Sequence, residues 1–237
     1  MARSLRRTYS SCPVFASVLF GAIALNSYSL LGAEENMDVR NLLDLSGLAW
    51  IQGDQFLGVH DAKDNQEKHD WPRLSLLTLP KSELQGVNWK PLTVKFPGRE
   101  GQSSDMESAC RLPGGKGFLV CESGQEGADD RRIFHVVLVD GEAVVQSFAR
   151  WPVPIKSVEG TDGCYVGEQL VFLYAERADS QPATQLRWAT LSLEDWKFGP
   201  FSELEFKCPD PTGKGARPIV GIDVDDEGMI YTVAAHD

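Results

Sequence analysis

The chain has 237 residues, 42% hydrophobic and 24% charged, which excludes an intrinsically disordered protein and fits a soluble globular one. Its formal net charge of −11 sets it against nucleic acid and anionic lipid and toward cations or cationic partners.

Residues 1–33 read as a secretory signal. Arg3, Arg6 and Arg7 form the positive region, and "VFASVLFGAIAL" (14–25) has the length of a signal-peptide apolar core. Ala33 is the expected cleavage point, although Leu31 is larger than the ideal residue two positions earlier; the alternative is an uncleaved anchor. Cleavage removes three arginines and no acid, leaving 20 basic against 34 acidic side chains, a net of −14 on residues 34–237. No later segment is apolar enough to span a bilayer, so no membrane contact is expected after cleavage. Cys12 precedes the apolar core, which argues against a lipid anchor there. Cys110, Cys121, Cys164 and Cys208 remain, with no C-x-x-C zinc spacing. Cys110 and Cys121 flank the turn "PGGKG"; a cross-strand bridge fits there, and two buried free thiols fit better.

One pattern then recurs four times: "SGLAWIQGDQFLGVHD" (46–61), "ESACRLPGGKGFLVCE" (107–122), "EGTDGCYVGEQLVFLYAE" (159–176) and "VGIDVDDEGMIYTVAAHD" (220–237). With Gly47, Ser108, Gly160 and Gly221 taken as equivalent, the spacings are 61, 52 and 61 residues. Two further apolar runs follow each of the first three copies: "RLSLLTL" and "LTVKF", "IFHVVLV" and "VVQSFARW", "LRWATLSL" and "FSELEF". They alternate or run short between Pro, Gly and Asp, and nothing after the signal has helical periodicity. The expected fold is all-β, a β-propeller of four-stranded antiparallel blades spanning residues 34–237. A β-sandwich explains the strands but not the fourfold likeness. Three blades and the first two strands of a fourth are present, and residues 34–45 supply at most one closing strand. The chain is therefore expected to be C-terminally incomplete and to expose a strand edge.

In a blade the first strand lines the channel and the second runs back beside it, so the start of one and the end of the other share a face. Glu107 and Glu159 stand at strand starts, with Asp44 just before the first; Asp61, Glu122, Glu176 and Asp237 stand at strand ends, one acid per repeat. Carboxylates gathered at one mouth repel unless a cation intervenes, and calcium, with its six to eight hard oxygen ligands, is the cation expected. Glu107 and Glu159 are the leading ligand candidates, then Asp61, with Glu122 and Glu176 in support; acids that merely cap turns are the plainer alternative. Arg131 and Arg132 open the third strand of the second unit, Arg177 follows Glu176, and Lys63 lies close after Asp61. Such cations beside a metal suit a small phosphorylated substrate, which arginine grips in a bidentate fork; solvated ion pairs are the alternative.

His60 and His236 each precede an acid, where packing explains them better than a base oriented by a carboxylate, while His69 lies in a polar loop and His135 alternates into a strand. "DVDDEG" (223–228) begins like an EF-hand loop with Asp223, Asp225 and Gly228, but Ala234 fills the twelfth position, so it reads as a β-turn. "PTGKGA" (211–216) lacks the spacing of a phosphate-cradling loop, and no G-x-S-x-G is present.

The stretches "DLSGLAWIQGDQFLGVHD", "SSDMESACRLPGGKGFLVCESG", "RRIFHVVL", "SVEGTDGCYVGEQLVFLYAER" and "GIDVDDEGMIYTVAAHD" resemble the phytase-like β-propeller family, described as "esterase-like activity of phytase". The resemblance covers residues 44–237 and implies a secreted or periplasmic bacterial protein with acids at its channel mouth. Glu107 and Glu159 match the family's repeated D-x-E-(G/S) type of position, and Ser46 stands where the first repeat lacks the acid. The family name implies calcium-dependent hydrolysis of phosphate monoesters, in which the metal binds phosphate, shields charge and activates a water. The sequence departs from that picture in lacking a dense lysine and arginine set for a polyphosphate. The rival expectation is a noncatalytic propeller that binds a protein or glycan on its disc face, with Trp50, Trp71 and Trp151 as residues to check.

Overall fold

Short runs of Val, Leu and Phe bounded by Gly, Pro and Asp favour strands over helices, and strands are what form. The computed structural model describes residues 45–61, 72–82, 86–97, 103, 105–123, 131–155, 157–176, 184–209, 216–225 and 227–234. Residues 1–33, where a signal is expected, and Asp44, Lys63, His69, Trp71, Arg177, His236 and Asp237 lie outside the described residues. Every described residue belongs to one compact unit, Met37–Asp237.

The first sheet runs β1 (Leu45–Gln52), β2 (Gln55–His60), β3 (Leu74–Thr78) and β4 (Asn88–Leu92), each antiparallel to the next. After β5 (Val94–Lys95) come β6 (Met106–Arg111), β7 (Phe118–Glu122), β8 (Arg132–Val139) and β9 (Glu142–Arg150), a second antiparallel meander to which β5 adds in parallel alongside β9. The third sheet has β10 (Val158–Val166), β11 (Gln169–Glu176) and β12 (Thr184–Ser192), whose outer edge takes β13 (Lys197–Phe198) and β14 (Ser202–Phe206). A short ribbon of β15 (Cys208–Pro209) and β16 (Ala216–Arg217) leads to the hairpin β17 (Ile219–Val224) and β18 (Ile230–Ala234).

The fold is all-β, with three antiparallel meanders and a two-stranded hairpin in chain order; among the described residues no sheet closes on itself. One strand differs from expectation. "LTVKF" (92–96) does not form the fourth strand of the first sheet. That strand is Asn88–Leu92, with Leu92 paired to Leu74 and buried, while Val94 and Phe96 pack into the core shared with the second sheet. Burial of those two side chains carries the chain across to β9.

The core lies between the sheets. One face of the second sheet presents Val120, Phe134 and Val136 to Leu57, Val59 and Leu74 of the first. Its other face presents Leu119, Cys121 and Ile133 to Phe172 and Tyr174 of the third, with Trp151 between them. A strand covered on both faces has no polar alternation, which is why Phe118–Glu122 is buried at every position. Each such Phe, Leu or Val contributes about 1.5–3 kcal/mol by leaving water. Cys110 and Cys121 are free and buried here, and burial pushes the Cys121 thiol up to about 12, so both act as small apolar fillers.

The first strands of successive units adjoin in order, β1 against β6, β6 against β10 and β10 against β17. The equivalent positions meet at these seams. A Cβ on Gly47 would lie 2.8 Å from the Glu107 carbonyl oxygen and 2.9 Å from the Ser108 Cα; one on Gly160 would lie 3.0 Å from the Gly221 Cα. Glycine is required at both because backbone faces backbone. Between them Thr161 Oγ1 donates to Ser108 Oγ at 3.1 Å. Among the described residues no helix is long and apolar enough to cross a membrane.

Candidate metal centre

Besides a shift between Trp50 and Gln52 in β1–β2 alone, each of the four hairpins β1–β2, β6–β7, β10–β11 and β17–β18 shifts register at one shared place: between Leu45 and Gly47, Met106 and Ser108, Val158 and Gly160, Ile219 and Gly221. The extra residues are Ser46, Glu107, Glu159 and Val220. A bulge of this kind leaves one residue out of the ladder and re-aims its side chain. The two acids expected at strand starts, Glu107 and Glu159, are therefore bulge residues.

The register also corrects the strand ends. Leu45 pairs with His60, Met106 with Glu122, Val158 with Glu176 and Ile219 with Ala234. Asp61 is thus equivalent to Ser123, one residue beyond Glu122, and the expectation of one acid per repeat at a shared position does not hold. Asp237 lies outside the described residues.

What the fold does gather is Asp61, Asp105 and Glu107, with one carboxylate oxygen from each within 4.8 Å of the others. Asp61 follows β2, Asp105 precedes β6, and Glu107 is the β6 bulge, so the junction of the first two sheets builds the group. Asp105 is fully buried, while Asp61 and Glu107 are half-buried. Ser123 Oγ lies 2.8 Å from both Asp105 carboxylate oxygens, and the Ser123 N–H donates to the Asp105 carbonyl at 3.1 Å. Ser103 Oγ accepts from the Asp105 N–H at 3.3 Å, and Arg73 Nε donates to the Ser103 carbonyl at 2.5 Å. Burial lowers the pKa of Arg73, and the neighbouring Asp61 charge partly restores it. Three carboxylates so close carry a Coulomb cost that a cation removes. All donors are hard oxygens, and the half-buried pair leaves one side open, which fits calcium better than a softer metal.

The other expected ligands are engaged elsewhere. Glu122 and Arg132 hold each other: Arg132 donates from Nη2 at 2.6 Å, from Nε at 3.0 Å and from its backbone N–H at 2.7 Å, with both side chains buried. Burial raises the Glu122 pKa, and Arg132 and Ser103 draw it back. Arg132 also lies 5.1 Å from the Phe134 ring. Glu176 is paired with Arg187 at 2.6 Å, and Glu159 accepts from Ser157 Oγ at 2.6 Å. The backbone carbonyl of Arg131 accepts from the Trp151 N–H at 3.0 Å. His60 is buried, with Nε2 2.7 Å from Ser75 Oγ, and His135 Nε2 is 2.6 Å from the Lys116 carbonyl, so both serve packing. β17 runs through Val224, and beyond it Asp225 accepts from the N–H groups of Glu227 and Met229 with its side chain and from the Gly228 N–H with its carbonyl, the turn expected of this stretch.

Two acids went unnoticed in sequence. Asp105 precedes Glu107 by two positions, and that D-x-E spacing is its signal; Ser157 holds the same place before Glu159. Asp162 on β10 accepts from the Gly163 N–H at 2.7 Å and from the Val224 N–H of β17 at 2.5 Å. Burial, with Asp223 nearby, pushes it up to about 7. Of the tryptophans, Trp151 is buried and Trp50 is 40% exposed, with Arg111 4.8 Å from its ring. Compared with protein-family models and with curated proteins, the chain matches none.

Proposed function

We propose that this chain is an exported β-propeller protein of the phytase-like family, whose first inter-sheet junction holds a calcium ion that serves phosphoester hydrolysis. The observation that carries the reading is the convergence of Asp61, Asp105 and Glu107 at the mouth shared by β2 and β6. The repeated four-stranded meanders, with their first strands adjoining in order, support the propeller. Residues 1–33 support export.

In this reading the three carboxylates hold the ion, which supplies charge shielding for a phosphate and acidifies a bound water. The protein's own part is positioning. Ser123 orients Asp105 through both oxygens, and the Glu107 bulge turns its carboxylate toward Asp61. Arg73, beside Asp61, supplies cationic charge of the kind expected from Arg131, Arg132 and Arg177, of which Arg132 is buried against Glu122 and Arg177 lies outside the described residues. A second reading, a noncatalytic propeller that binds a protein or glycan, draws support from Trp50 and Tyr165, each 40% exposed near the hairpin turns.

Calcium titration by calorimetry, with Asp105→Asn and Glu107→Gln beside the unaltered protein, tests the proposal. Micromolar binding that both variants lose, with calcium-dependent release of phosphate from a panel of monoesters, is expected. A folded protein that ignores calcium sinks the metal reading and leaves the noncatalytic binding one.

A further inference from the structure

The two ends of the hairpins carry different chemistry. Acids gather where β2 ends and β6 begins, whereas the turn ends of β1–β2, β6–β7 and β10–β11 carry aromatic rings and cations. Arg111, the last residue of β6, holds its guanidinium carbon 4.8 Å from the centre of the Trp50 ring on β1. Lys116, in the turn that follows, holds its Nζ 5.6 Å from the centre of the Tyr165 ring on β10 and donates to the Tyr165 hydroxyl at 3.0 Å. Strand alternation explains the split. Arg111 shares a face with Ala109, which packs toward the first sheet, while Cys110 and Leu112 pack toward the third. One turn thus reaches both neighbours, and Trp50, Arg111, Lys116 and Tyr165 form a row across three sheets. Both rings are 40% exposed, and among the described residues neither cation is in an ion pair. Between the cations Gly114 and Gly115 adopt φ of 75° and 72°, and a Cβ on either would meet nothing within 4 Å, so the top of the turn is open.

We infer that this row binds an acidic polysaccharide, whose uronate carboxylates meet Arg111 and Lys116 while its sugar rings stack on Trp50 and Tyr165. The C–H face of a pyranose is apolar and flat enough to cover an indole or phenol ring, which keeps its own polar edge in water. A cation laid on a ring keeps its other side for a second partner, and a guanidinium takes a carboxylate in a bidentate fork. The sign of the charge argues for an acid. On a chain of −11, two cations stand between the two rings, and Asp54 and Glu168 occupy only the flanking turns. Hairpin turns close these strand ends, so the row offers a peptide no main-chain ladder to extend, and side-chain faces remain the means of recognition. The inference rests on the second reading above, whose ligand class it names, and it needs no calcium.

Calorimetric titration of the full chain with hexagalacturonate and with hexamannuronate tests this, with EDTA present so that calcium bridges nothing. The fully methyl-esterified hexagalacturonate, which keeps the rings and loses the charge, is the comparison. The expected result is binding of an acidic hexamer that weakens as salt rises, with the ester bound about tenfold more weakly or worse. Lys116→Gln and Tyr165→Ala each weaken the acidic hexamer about tenfold, the loss of one charged or one stacking contact, and Lys116→Arg retains it. Arg111→Gln and Trp50→Ala act alike; if they lose native circular dichroism, the exposed Lys116 and Tyr165 variants decide the matter. Equal affinity for acid and ester, or Lys116→Gln and Tyr165→Ala that bind like the unaltered protein, overturns the inference and leaves the noncatalytic binding reading standing. Binding of none of the hexamers overturns it too, and leaves that reading with a protein ligand alone.

Discussion

The first and second inter-sheet junctions have the same backbone and different chemistry. Three equivalent positions hold Asp61, Asp105 and Glu107 at the first junction, and Ser123, Ser157 and Glu159 at the second. At the third, the described members are Pro218 and Val220, and no acid remains among them. The fold repeats because backbone pairing and apolar packing recur. The charge set does not repeat, since a bulge aims whatever side chain it carries. Glu122 and Glu176 show the same division: both end a second strand, and both are neutralised by an arginine of the third strand, which makes them part of the scaffold.

The largest expected effect separates the scaffold acids from the bulge acids. Glu122→Ala strands the buried Arg132 charge and lowers the unfolding free energy by about 3–5 kcal/mol, whereas Glu159→Ala loses one hydrogen bond, about 1 kcal/mol. Urea midpoints check both, and equal losses would erase the distinction.

The third junction is sharpened by pH. Folding pushes the Asp162 carboxyl up from the ordinary carboxylate range to about 7, chiefly through burial. Between those values the unfolded chain gives up the proton and the folded chain keeps it. Stability therefore falls as pH rises from about 4 to about 7, by a few kcal/mol, and the loss is complete above that. Asp162→Asn flattens this fall, leaving the smaller same-sign contributions of Glu122 and Asp223, whose pKa values are also raised. Parallel stability–pH curves for protein and variant would refute the assignment.

At the first junction, where a calcium site is proposed, calcium at a hundred times its dissociation constant is expected to raise the unfolding free energy by about 2.7 kcal/mol. Asp105→Asn abolishes that gain, and a chelator returns the unaltered protein to the same value; thermal melts with and without calcium read both. The smallest effect concerns Ser123, which stands at the Asp61-equivalent position yet orients Asp105. Ser123→Ala weakens calcium binding about tenfold without removing it, as loss of a group that orients a ligand does. Unchanged affinity by calorimetry would show that Asp105 needs no support.

The strands, the fourfold repeat and the hairpins were legible in the residues, because alternation and turn chemistry act within a few positions. "IFHVVLV" and "FSELEF" lie where expected, while "LTVKF" does not, since the burial of Val94 and Phe96 against another sheet outweighs its local pattern. The acidic character of the site was legible too, but not its membership. The hairpins span different lengths, Gly47 pairing with Val59 but Ser108 with Cys121, so Asp61 and Glu122 are neighbours in equivalence and not partners. Arg132 reads as a surface cation until the register sets it beside buried Glu122, and Asp105 reads as a loop acid until β2 brings Asp61 to it. By itself, the sequence determined which segments are strands and where they turn, since those are properties of neighbouring residues. Only the tertiary structure decided which charges meet, because that depends on register and on contacts between residues more than forty positions apart, such as Asp61 and Asp105.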